Sequence, residues 1–98
     1  MSVYVIVEVE ILDHAAYETI KQLTPPIVAQ YGGKYLARGG ETEVLEGSWT
    51  PLRLVILEFE NAERAKAWWH SPEFAPIKEM RNQSTHTNMV LIEGKAAN

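Results

Sequence analysis

A two-layer α+β fold, with four antiparallel strands carrying two helices, is predicted by three observations. Apolar, β-branched runs occur at residues 3–9, 52–59 and 87–93, with a shorter strand-like segment at 34–38. Two helical segments, opened by Asp13 and Asn61, separate them in the order βαββαβ. Glycine pairs at 32–33 and 39–40 and a turn-rich stretch at 47–51 mark the breaks. The 98 residues, 46% apolar and 22% charged, suit one globular domain spanning 1–98, with 95–98 as a frayed tail.

Each element has its own warrant. In the first strand Val3, Val5, Val7 and Val9 share one side, while Tyr4 and Ile6 precede Glu8 on the other, so both faces need cover. Asp13 caps a helix whose stripe is Tyr17, Ile20, Thr24, Ile27, Val28 and Tyr31. Pro25-Pro26 inside that stripe predicts a kink or restart, and Gly32 suits the left-handed position after the last turn. Lys34–Arg38 reads as the second strand, bent at Gly39-Gly40 and extended over Thr42–Leu45. Residues 52–59 form the most apolar strand. Asn61 caps a helix with Ala62, Ala65, Trp68 and Trp69, and Ser71-Pro72-Glu73 predicts a second start carrying Phe74, Ile77 and Arg81. Thr87–Glu93 is the fourth strand, ended by Gly94.

This order, with a split second helix, is the ferredoxin-like arrangement. Two helices cover one face of such a sheet. Ile6, Leu54 and Ile56 fall on the other, so a homodimer that pairs the bare faces into a dimeric α/β barrel is expected.

The blocks Tyr31-Gly32-Gly33, Arg38-Gly39-Gly40, Leu45-Glu46-Gly47, Glu58-Phe59, Ala67-Trp68-Trp69, Ser71-Pro72-Glu73-Phe74 and Arg81 resemble a bacterial family of small dimeric α/β-barrel proteins. That family is known chiefly as a domain of unknown function. The resemblance covers nearly the whole chain. It implies the same fold and dimerisation and brings no catalytic set. Trp69 and Phe74 stand where such sequences often have Tyr, so a phenol that mattered there is missing here. The wider superfamily includes cofactor-free monooxygenases, lactone isomerases and haem-handling proteins, and fold alone does not select among them.

Nine basic against thirteen acidic residues give a net charge of −4, which disfavours nucleic acid and anionic membrane surfaces. The apolar runs are too short to span a bilayer, and the N-terminal run lacks the marks of a signal peptide, so a cytoplasmic location is expected. There is no cysteine, and the three histidines lack metal-ligand spacing, so no metal or cofactor is expected. His70 beside Trp68 and Trp69 is the one arrangement that suits a haem axial ligand, and ordinary packing explains it equally.

Strand parity sends Glu8 and Glu58 to the dimer interior, where a desolvated carboxylate suits a general base. His86, opening the last strand, is the candidate proton carrier. Arg38, or Arg53 reaching round the edge, would pair with a carboxylate or hold an anionic substrate. Trp49 reads as an anchor on the partner or a lid, Trp69 as an apolar wall, and Tyr35 as a source of a pocket hydroxyl, with core or interface the plainer place for it. The expected function is thus cofactor-free chemistry, isomerase-like or monooxygenase-like, on a small partly apolar molecule in a cavity at the sheet face. The alternative is a non-catalytic homodimer, binding a small molecule or purely structural, in which these charges pair to fix dimer register.

Overall fold

In the computed structural model, which describes residues 1–95, strands β1 (Val3–Ile11), β2 (Lys34–Arg38), β3 (Arg53–Phe59) and β4 (Thr85–Glu93) form one antiparallel sheet ordered β2-β3-β1-β4. Helices α1 (His14–Gln30), α2 (Ala62–Trp69) and α3 (Ala75–Ser84) complete a ferredoxin-like βαββαβ unit. The frayed tail expected at 95–98 falls, from Ala96 on, outside the described residues.

Alternation along the central strands decides the layering. Val3, Val5, Val7 and Val9 on β1 and Val55, Leu57 and Phe59 on β3 are buried against Tyr17, Ile20 and Val28 of α1, Ala65 and Trp68 of α2, and Ile77 of α3. Register fixes the opposite face: Ile6 lies across from Ile56 and from Val90, and Tyr4 across from Glu58 and Ile92. Among the described residues no helix covers this second face, where Val90 and Ile92 remain 59% and 54% exposed.

The caps hold as read. Asp13 accepts from the Ala16 N–H at 3.1 Å, Asn61 accepts from the Arg64 N–H at 2.9 Å, and Gly32 takes φ +80. Three expectations need correction. Instead of restarting at Pro25-Pro26, α1 runs unbroken over seventeen residues. Ser71 caps a turn, accepting from the Phe74 N–H at 3.1 Å, and α3 begins only at Ala75. Thr42–Leu45 is not a strand: Gly39, with φ +70, makes a last bond to the Leu54 carbonyl and turns the chain off the sheet. The arm that follows, residues 40–52, carries Val44, Leu45, Trp49 and Leu52 in the open, with Leu45 92% exposed.

Candidate functional site

A cavity of about 30 Å³ lies between the sheet and the helices, on the side away from the open face. Valines of β1, Val55 and Leu57 of β3, Ile20 and Met89 make its walls apolar, and Tyr17, Tyr35, Trp68, Arg38, Arg53 and Arg81 bring polar groups into it.

Local features of the sequence aim each of these groups. On β2 a bulge between Tyr35 and Ala37 absorbs one residue, so Arg38 instead of Ala37 stands opposite Val55. Tyr35 and Arg38, which strict alternation would place on opposite faces, therefore both turn towards the helices. Arg38 then meets a carbonyl made available by the diproline. Pro25 has no N–H to give the Lys21 carbonyl one turn earlier, and Arg38 Nη2 donates to that oxygen at 2.7 Å. Its guanidinium lies 4.9 Å from the centre of the Tyr35 ring. Arg53 follows the parity of Val55 and Leu57; its Nε donates to the Tyr17 hydroxyl at 3.2 Å. Gly39 makes room for it, since a Cβ there would collide with the Arg53 guanidinium.

Two donors on the lining residues are left over. Among the described residues, neither Trp68 Nε1 nor Arg81 Nη2 has a hydrogen-bond partner, and both atoms are out of reach of solvent. Burial pushes the Arg81 pKa down, an effect opposed by the phenols of Tyr17 and Tyr35. Burial also raises the Tyr35 pKa, against the pull of Arg38, Arg81 and Arg53. Tyr35 is therefore held as a neutral phenol, a donor and not a base. The sign of the linkage follows. A raised native pKa adds stability that is fully present below the free value of 10.0 and is lost as pH climbs through the native one. Unfolding midpoints in urea are expected to fall as pH rises above about 10, and Tyr35→Phe to flatten that fall; an unchanged slope in the variant would count against a raised Tyr35 pKa.

The residues singled out in the sequence divide between the two faces. Tyr35 and Arg38 line the cavity, whereas Glu8, Glu58 and His86 stand on the open face. Of the two roles expected of Arg38, the pairing with these carboxylates falls away and the anion-holding one stays open. Glu8 accepts from Trp49 Nε1 at 3.0 Å and from the Leu52 N–H at 3.4 Å, tying the arm to the sheet. Glu58 faces Tyr4 and Lys34 across the strands, and His86 pairs with Glu10 at 3.1 Å in the open. Trp69 is half-buried under Lys78, whose ammonium lies 4.5 Å from the ring centre. It lines a separate groove with exposed His70. Among the described residues no three His, Asp or Glu side chains gather into a metal-binding group, and no helix is long and apolar enough to cross a membrane.

Tyr17, Trp68 and Arg81 were not read as site residues. A signal existed for Arg81: it continues the stripe of Phe74 and Ile77, an odd place for a cation unless something polar lies beneath.

The family model described as Domain of unknown function (DUF1330) matches residues 2–95. No curated protein matches the sequence. Solved structures share the fold at low identity. A protein of unknown function from Rhodopseudomonas palustris superposes with a TM-score of 0.78 at 14% identity, over 97% of this chain and 83% of that one. SnoaB, a cofactor-independent oxygenase from Streptomyces nogalater, gives 0.67 at 11% identity, over 98% and 95%. A dimeric ferredoxin-like protein of unknown function from Bacteroides fragilis gives 0.65 at 16% identity, over 95% and 96%.

Proposed function

The chain belongs to the DUF1330 family, and from that premise we propose that it is a homodimer in which each copy binds a small, partly apolar molecule in the cavity between its own sheet and helices. The carrying observation is the pair of buried donors, Trp68 Nε1 and Arg81 Nη2, left without partners on two residues that line that cavity. A buried donor without an acceptor costs about 1–3 kcal/mol, and a ligand oxygen removes that cost. Donors fixed in advance inside an apolar site also hold negative charge as it develops on a bound carbonyl. Such donors suit the oxyanion of cofactor-free chemistry of an isomerase or oxygenase kind, and a cofactor-independent oxygenase shares this fold. Among the described residues, however, no side chain lining the cavity takes a proton, so binding is the reading the cavity supports best. In this reading Tyr35 donates to the ligand.

The dimer is read from the open face. Four strands about 4.8 Å apart, at ~3.3 Å per residue, make a face on the order of 500 Å². A stable interface takes about 800 Å² from each partner, and the apolar arm of residues 40–52 supplies the remainder. Glu8, gripping Trp49, then holds the arm in register, while Glu58 and His86 lie at the interface of the two copies.

Melting temperature in the presence of small carbonyl and carboxyl compounds tests the ligand half. A compound at about 100 times its Kd is expected to stabilise the native state by about 2.7 kcal/mol. Trp68→Phe, which keeps the aromatic wall and removes the N–H, is expected to weaken it roughly three- to tenfold. If no compound raises the melting point and native mass spectrometry gives a bare dimer, the purely structural module is the better reading.

A further inference from the structure

The charge balance of the cavity goes further than its unpartnered donors. Three guanidiniums, those of Arg38, Arg53 and Arg81, line it in a protein whose net charge is −4. None of its lining residues is acidic, and among the described residues none of the three arginines lies within ion-pair distance of a carboxylate. The fourth cation at its edge, Lys21, is already answered by Glu18 at 3.1 Å. Arg38 is neutralised by no side chain: its one hydrogen bond goes to a main-chain carbonyl, and that of Arg53 to a phenol. For Arg81, whose charge is held among apolar walls, the missing counter-charge is costly, and a bound anion is the simplest thing that offsets it. Half-buried Arg53 and exposed Arg38 add to the pull.

Size narrows the anion. A volume of about 30 Å³ accepts roughly two water-sized atoms. A flat carboxyl head group enters so small a space more readily than a tetrahedral phosphate, and the rest of the ligand lies towards the open rim. Two unpartnered donors on its lining residues equal in number the two oxygens of a carboxylate.

Resting on the small-molecule reading above, we infer that the cavity is a carboxylate site for small organic acids. The carboxylate takes Trp68 Nε1–H and Arg81 Nη2–H at its buried end. Arg53, held by Tyr17 and admitted by Gly39, adds charge at the wall, and exposed Arg38 stands at the rim. The apolar walls favour an acid whose remaining atoms are hydrocarbon.

Acetate and acetamide have the same shape and differ in charge, so they separate this inference from the reading it rests on. The readout is the Trp68 indole N–H resonance in a nitrogen–proton correlation spectrum, assigned with Trp68→Phe and titrated in low-chloride buffer. Acetate is expected to move it saturably and acetamide to leave it in place. Arg81→Met is expected to weaken acetate about tenfold or more while the Trp49 and Trp69 indole signals keep their positions. Should the variant fail to fold, the two probes on the unaltered protein still decide. Equal movement with both compounds would overturn the carboxylate inference and leave the small-molecule cavity standing. No movement with either would overturn both.

Discussion

Replacing Phe74 with Ala is expected to destabilise the protein by about 3–5 kcal/mol, the range for deleting a buried phenyl group. Phe74 is 0% exposed and stands at the junction of the Ser71 turn and α3. Its ring centre lies 4.7 Å from that of Trp68 and 5.9 Å from that of Trp69, and Trp68 in turn stacks at 5.5 Å on Phe59. Removing it opens a void in the aromatic layer that braces the cavity wall. Small domains hold only about 5–15 kcal/mol in total, so the variant would be near the edge of folding at 25 °C. Urea unfolding at matched protein concentration, with the midpoint shifted and the slope preserved, checks this. A loss below about 1 kcal/mol would mean that the neighbouring rings close over the gap.

Changing Ile56 to Asp is expected to convert the proposed dimer to a folded monomer. Ile56 lies opposite Ile6 on the face away from Val55 and Leu57, so the new carboxylate stays out of the protomer's own core. Pairing two such faces by a twofold axis brings two unpartnered carboxylates into one interface. Burying each costs several kcal/mol, enough to weaken association by about a thousandfold or more. Sedimentation gives the mass, and circular dichroism reports whether the protomer has kept its fold. A variant that stays dimeric at the same concentration would place the contact elsewhere.

What the sequence made legible follows from what is local. The valine alternation of β1, the Asp13 and Asn61 caps and the positive-φ turn at Gly32 depend on neighbours within a few residues, and each reads directly from the chain. The bulge in β2 does not. Nothing in Lys34-Tyr35-Leu36-Ala37-Arg38 marks Leu36 as the residue to be absorbed, and that one slip decides which face receives Arg38. The diproline misleads in a similar way. It removes hydrogen bonds from α1, yet the helix keeps its course because Ile20, Thr24 and Val28 are buried on the sheet. The Thr24 hydroxyl also bonds back to the Ile20 carbonyl at 2.7 Å. Glu8 and Glu58 were easy to place by parity. Tyr17, Trp68 and Arg81 come from three different helices, and only the packed structure brings them to one cavity.

The hold of the Lys21 carbonyl on Arg38 has a consequence for how this site can vary over evolutionary time. The acceptor belongs to the main chain, so every residue at position 21 supplies it, and drift there leaves the arginine docked. The residue that controls the contact is Pro25, a helix turn away and without a side-chain group that could touch a ligand. A substitution at 25 that restores the amide would make Arg38 share the carbonyl with the helix and weaken its hold. The rim of the cavity is thereby insulated from change at one position and exposed to it at another that inspection of the pocket would pass over.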